Sequence, residues 1–211
     1  MGQNMKKFNC RIQSASVFAP RTLRRFAAVL YLAAAASLNA CAITPPVATE
    51  MPTGATTAQP IGAMLFCAAH AVECADKAPT TTRVEMTDQR LEQLRAVQHE
   101  VNYRINPTGA VEVAWHYAAN GRGTCVQYAM EKRRQLIALG WPASSLQLAT
   151  VTTRQGEGHL VLVAATTQGE LVLDNLRHDI TPWQVLPYRW IARQQGASLT
   201  QWVSINANGG A

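Results

Sequence analysis

Apolar positions recur with a helical period between residues 87 and 106, where Leu91, Leu94, Val101 and Ile105 fall roughly along one face. Thr87 and Asp88 supply an N-cap and a first-turn acid, and Asn106-Pro107-Thr108-Gly109 stops the helix. A second helix is predicted over 125–139, with Thr124 as N-cap and Ala129, Met130, Leu136 and Ile137 facing inward. Gly140-Trp141-Pro142 ends it. Apolar runs then predict strands over 146–152, 160–166 and 170–173. Thr167-Gln168-Gly169 joins the last two as a short hairpin, and 188–192 and 201–205 read as final strands. Ahead of all these, 61–74 is an Ala-rich amphipathic piece whose Met64, Leu65 and Phe66 can dock on a core. Residues 110–120 read as a loop with helical turns that carries Trp115. Helices first and an antiparallel sheet afterwards give an α+β fold.

Continuous patterning predicts one domain over 61–205. The Pro-, Thr- and Ala-rich stretch 43–60 reads as a disordered linker and 206–211 as a disordered tail. No internal repeat is visible.

The formal charge of +6 describes the first forty residues rather than the domain. Lys6, Lys7, Arg11, Arg21, Arg24 and Arg25 precede residue 43 with no acidic residue among them. Without them, 13 Lys and Arg face 13 Asp and Glu. No concentrated basic face remains for nucleic acid, and Lys132-Arg133-Arg134 reads as a solvated helix face. The leader itself has the charged, apolar, small-residue pattern of an export signal over 1–42, with an apolar run too short to span a bilayer comfortably. Two cleavage readings stay open. Ala40-Cys41-Ala42 fits a cut after Ala42, whereas Leu38-Asn39-Ala40-Cys41 resembles a lipoprotein box in which Cys41 is lipidated. Arg24-Arg25-Phe26 is a weak twin-arginine match, and Met5 is an alternative start. The expectation is an exported, periplasmic protein that meets the membrane only through lipidation at Cys41.

Export makes the cysteines informative. Cys10 and Cys41 lie in the leader, and Cys67 and Cys74 are close enough to pair as a local disulfide. Seven residues of straight helix would hold their Cα atoms beyond disulfide reach, so the bridge requires a break around His70-Ala71-Val72. Cys125 is left unpaired. It opens a helix after the Gly-rich turn Gly121-Arg122-Gly123-Thr124, and a helix N-terminus favours negative charge.

A cysteine nucleophile needs a base within hydrogen-bond reach and an acid to hold that base. His159 follows Gly156-Glu157-Gly158 and begins the run Leu160-Val161-Leu162-Val163, at the sheet edge rather than in the core. Asp174 ends Leu171-Val172-Leu173, and counting back across the hairpin turn places it near the start of the His159 strand. Cys125, His159 and Asp174 are therefore the candidate catalytic residues, with the backbone N–H of Cys125 as an oxyanion donor. His116 and Cys125 alone make a poor zinc site. His178-Asp179 reads as loop, and Trp183, Trp190 and Trp202 as core or rim aromatics.

Gly123-x-Cys125-x-x-Tyr128-Ala129, Leu139-Gly140-Trp141-Pro142, Gly156-x-Gly158-His159 and Leu171-Val172-Leu173-Asp174-Asn175 resemble the bacterial transglutaminase-like cysteine proteinases. The resemblance covers roughly 62–205, including Phe66-Cys67, Glu73-Cys74 and Val101-Asn102. It implies a papain/transglutaminase-like fold, with the nucleophile at a helix start packed on an antiparallel sheet that carries the His and the Asp. It also implies Cys125 as nucleophile, His159 as general base, Asp174 as its orienter, and a protein substrate such as a surface adhesin. One departure stands out. The family motif is usually Gly-Asp-Cys-Glu-Asp-Tyr, and its acids help to bind calcium; here Thr124, Val126 and Gln127 take their places. Calcium prefers several carboxylate oxygens, so the family's calcium site is expected to be lost. No other cofactor is implied.

The leading expectation is an exported cysteine peptidase working through a thioester. Hydrolysis of cell-wall peptides and transglutamination compete within the same fold. The rival from another class is a catalytically degenerate envelope module that binds a peptide or a partner.

Overall fold

The computed structural model describes residues 49–75, 80–109 and 113–206. The expected export segment 1–42, and the tail from 207 onward, lie outside the described residues. No helix among the described residues is long and apolar enough to cross a membrane.

The first strand, β1 (Thr53–Thr57), is followed by α1 (Ile61–Ala69), α2 (Ala71–Cys74) and α3 (Asp88–Arg104). A two-residue parallel pair, β2 (Asn106–Pro107) with β3 (Arg122–Gly123), leads into α4 (Cys125–Ala138). The remaining strands are β4 (Leu146–Thr152), β5 (Gly158–Thr166), β6 (Gly169–Leu173), β7 (Thr181–Pro182), β8 (Arg189–Gln194) and β9 (Trp202–Ile205). Seven strands form one antiparallel sheet in the order β1-β9-β8-β4-β5-β6-β7, with β4 and β5 near its middle. This is the expected α+β arrangement, except that the edge strand β1 precedes the helices.

Side-chain alternation divides β5 between two cores. Leu160, Leu162 and Ala164 join Leu94, Val101 and Leu136 of the helices, whereas Val161 and Val163 pack with Val172, Trp190 and Met51. A strand buried on both faces reads as an uninterrupted apolar run, as residues 160–165 do. Helix α4 lies on β5 and α3 lies on α4. Each fully buried leucine on these faces contributes roughly 2 kcal/mol by removal from water.

Helix ends follow the sequence closely. Arg90 N donates to the Thr87 hydroxyl at 3.2 Å, capping α3. At the other end of α4, Gly140 (φ 83°) donates to Ile137 O and Trp141 N donates to Leu136 O, both at 3.0 Å. These two bonds form a Schellman motif, whose left-handed residue favours glycine.

The disulfide is present between Cys67 and Cys74, with Cα atoms 5.5 Å apart. Helix α1 ends at Ala69, and the non-helical His70 (φ −128°, ψ 51°) turns the chain into α2. The break expected at His70 brings the two thiols together.

Several expectations need correction. The stretch 43–60 is not all linker. Residues 53–57 form an edge strand on β9, and the buried Met51 donates its backbone N–H to Glu170 Oε2 at 2.7 Å. Its polar, threonine-rich sequence suits an exposed edge, where one side of the backbone pairs and the side chains meet water. In α1 the buried side is Gly62, Ala63 and Phe66, whereas Met64 and Leu65 are exposed. Residues 113–119 contain no helical turn. Ile137 is exposed, and Lys132 and Arg133 are buried in a run expected to be solvated. Arg133 is held by charge-assisted hydrogen bonds: Nε to Leu146 O at 3.0 Å and Nη2 to Ala197 O at 3.2 Å. Glu170 and Arg193 form a second buried polar contact at 2.6 Å between β6 and β8.

Candidate active site

The turn before α4 is tightly constrained. A Cβ on Gly123 would stand 2.6 Å from Gln127 Cβ and 3.2 Å from Ile105 Cγ2, so only glycine fits. Thr124 then caps the helix: its hydroxyl accepts from Val126 N at 3.4 Å, and Gln127 Oε1 accepts from Thr124 N at 2.7 Å. This is a capping box built from Thr124 and Gln127. Cys125 is therefore the first residue of a firmly capped helix, half-buried, and is the free cysteine among the described residues. Tyr128, one turn on, donates its hydroxyl to Ile105 O and locks α4 to the end of α3.

His159 lies at the start of β5, in the middle of the sheet and buried, where a sheet-edge position was expected. Its Nε2 donates to Asp174 Oδ1 at 2.8 Å. The hairpin explains this meeting. The β5–β6 register pairs Leu162 with Leu173. One step further it would set Asp174 opposite Val161, with His159 the diagonal neighbour on the same face. With Nε2 engaged, Nδ1 is the ring nitrogen left to serve Cys125, which lines the same cleft and whose proximity favours the charged imidazole. His159 thus holds the carboxylate of Asp174 and lines one cleft with Cys125.

Electrostatics reinforce that arrangement. Burial opposes a charged His159, but its hydrogen bonds to Asp174 and Cys125 outweigh it and raise the pKa to about 9. For Asp174 burial favours the neutral acid. The hydrogen bonds from His159, Tyr188 and the Leu176 backbone win, and hold the carboxyl below its ordinary range. Leu176 N reaches Oδ1 at 2.9 Å and Tyr188 Oη reaches Oδ2 at 2.5 Å.

Further support is backbone-directed and was not apparent in the sequence. Gln98 Nε2, buried on α3, donates to Asp174 O and Arg177 O, each at 2.8 Å. Asn102, one turn later, donates to Arg177 O at 2.9 Å. The available signal was a glutamine in line with Leu94 and Val101 on a buried helical face. Lys132 is the other unforeseen group. Its ammonium is buried without a hydrogen-bond partner among the described residues, 6.0 Å from the Tyr128 ring centroid. Burial lowers its pKa to about 7, and Asp174 opposes the shift.

Cys125 and His159 open into a cleft of about 840 Å³. Trp115, Val113, Leu176 and Ile191 give it apolar walls, and Thr150 and Glu157 add polar groups. Trp115 also packs edge-on against Trp202. His116 approaches Gln127 rather than a metal set, with ring nitrogens 3.2 and 3.3 Å from Nε2. Trp202 and Trp190 are core residues, as expected, and Trp183 packs on Trp190.

No curated protein matches the sequence. Among solved structures, calcium-bound LapG of Legionella pneumophila is similar at 21% identity, with a TM-score of 0.49 over 60% of this chain and 74% of LapG. The EGTA-treated form of LapG gives 0.45 at 21% identity, over 56% and 73% of the respective chains. The sequence matches one family over residues 53–209, a span that takes in β1 as well as the whole cleft. The chain belongs to the bacterial transglutaminase-like cysteine proteinases.

Proposed function

We propose that this chain is an exported cysteine peptidase that hydrolyses amide bonds of proteins or peptides at the cell surface, a surface adhesin among the candidate substrates. The single observation that carries the reading is that His159, hydrogen-bonded to the buried Asp174, lines one apolar-walled cleft with the free Cys125. The Cys125 sulfur attacks the peptide carbonyl carbon, and the carbonyl electrons move to oxygen, where the Cys125 backbone N–H can donate. Collapse of that intermediate breaks the C–N bond, and the His159 imidazolium gives its proton to the departing amine. Water then attacks the thioester and surrenders a proton to His159, and the thiolate leaves. Asp174 keeps the imidazole oriented and stabilises its charged form.

Export rests on the leader over 1–42, with lipidation at Cys41 as its variant. The folded domain begins at least by Thr53 rather than at residue 61. The calcium arrangement of the family motif does not fit the residues present. Val126 offers no side-chain oxygen, Gln127 Oε1 is engaged in the capping box, and Thr124 brings a hydroxyl where an acid would stand. The turn before Cys125 is held by that capping box and by Tyr128, and no step of the reaction is assigned to calcium.

Reaction of the full chain with a thiol-directed probe at neutral pH tests the reading, with modification at Cys125 followed by mass spectrometry. Rapid labelling that slows by about a hundredfold in His159→Ala agrees with general-base activation. Slow labelling, indifferent to His159→Ala, would instead make the cleft a binding site without chemistry.

A further inference from the structure

Away from the cleft, α3 and the β6–β7 loop place three metal-ligating groups together. His99 Nε2 lies 3.5 Å from Asp179 Oδ1, and His178 Nδ1 lies 2.9 Å from the same oxygen. All three donor atoms fall within 4.8 Å of one another. They come from segments nearly eighty residues apart, and the two histidines line an open groove of about 560 Å³ with Glu100, Asn102 and Tyr103. The two imidazole rings are tilted by 43° with centroids 4.4 Å apart, so they converge without stacking flat. The salt-bridge partners of Asp179 among the described residues are these two imidazoles, with no lysine or arginine competing for it.

We propose that His99, His178 and Asp179 form a zinc-binding site that fastens the loop after Asp174 to helix α3. Two imidazoles and one carboxylate are a ligand set suited to zinc, with water completing a tetrahedral shell. Metal bonds of about 2.0–2.2 Å place tetrahedral ligands roughly 3.3 Å apart, and the two separations of 2.9 and 3.5 Å bracket that value. Small rotations of exposed side chains complete the geometry. The set is nitrogen-rich with a single carboxylate, so it selects against calcium, which takes six to eight oxygens. Location gives the site its consequence. Gln98 and Asn102, flanking His99 on α3, already hold the backbone of Asp174 and Arg177. Zinc would add a second fastening at the far end of the same loop. Zinc binding here goes beyond the peptidase reading and does not depend on it.

The thiols outside the disulfide are removed first, as Cys10→Ser, Cys41→Ser and Cys125→Ser in the full chain, so that zinc cannot settle on sulfur. Competition with a chromophoric chelator is expected to show one equivalent of zinc. His99→Ala and His178→Ala should each weaken it by at least about tenfold. Zinc should also raise the Tm of the parent chain and leave that of His99→Ala unmoved, and millimolar calcium should not displace it. Zinc binding that is absent, or that persists equally in both histidine variants, would overturn the site. Displacement by calcium would overturn the choice of metal, and binding without a rise in Tm would overturn the fastening of the loop.

Discussion

Tyr188 donates its hydroxyl to Asp174 Oδ2 at 2.5 Å, on the oxygen opposite the one that receives His159 Nε2. The carboxylate is thereby held on both oxygens, and rotation about its terminal torsion would break one bond or the other. Burial and this hydrogen bond push the Tyr188 hydroxyl up to about 12, so it remains a donor throughout the neutral range. The His159 and Tyr188 rings also meet edge-on at 5.8 Å. Orientation of the imidazole is thus shared between a carboxylate and an aromatic wall.

The His159 titration reads that arrangement directly. Its pKa, raised to about 9 in the fold against 6.5 ordinarily, means that the stabilisation is complete below about 6.5 and is lost as pH rises through 9. Nitrogen NMR of the imidazole should show a midpoint near 9. In Asp174→Asn the midpoint should fall towards 6.5, and Tyr188→Phe should move it a smaller distance the same way. An unchanged midpoint in Asp174→Asn would remove Asp174 from its orienting role.

Lys132 gives a pH dependence of opposite sign. Its pKa is lowered to about 7 in the fold, so the unfolded chain binds more protons between about 7 and 10.5, and stability rises with pH across that window. Lys132→Met places an apolar chain of similar length in the same buried space. The variant should withstand more urea than the parent at pH 6, and the advantage should shrink towards pH 10. A loss of stability at pH 6 would mean that attraction to Asp174 outweighs the desolvation of the ammonium.

The Cys67–Cys74 bridge closes a short loop across the break at His70. Loop-closure entropy assigns such a bridge about 2.5 kcal/mol. Replacing both cysteines with alanine should lower the unfolding free energy by roughly that amount in urea titrations at neutral pH. Phe66 remains buried against the core in α1, so the helix should stay docked in the variant, with its far-ultraviolet signal retained below the transition.

The proposed loss of the family's calcium site predicts a protein indifferent to calcium. The Thr124–Gln127 capping box occupies the positions that would carry ligands. Addition of EGTA to zinc-free protein should leave both the Tm and the rate of Cys125 labelling unchanged. A chelator-induced fall of several degrees, restored by calcium, would show a site supplied by other oxygens.

Much of this protein was legible along the chain because its signals act over a few residues. Apolar runs marked β4 to β6, Gly140 marked the end of α4, and Thr124 marked its start. The short β5–β6 hairpin has little freedom of register, so counting back from its turn was enough to bring Asp174 to His159. Other features depend on partners distant in sequence. Residues 53–57 look like a tether until β9, nearly 150 residues later, supplies the pairing. Lys132 and Arg133 look solvated until Leu146 O and Ala197 O receive the guanidinium and the core closes over the ammonium. Gln98, Asn102 and Tyr188 carry no local mark of their service to Asp174, and His99 none of its nearness to His178 and Asp179. Caps, turns and periodicity are local free-energy preferences and can be read in sequence order. The satisfaction of buried polar groups, and the charge state of the cleft, come from contacts that exist only once α3, α4 and the sheet have packed.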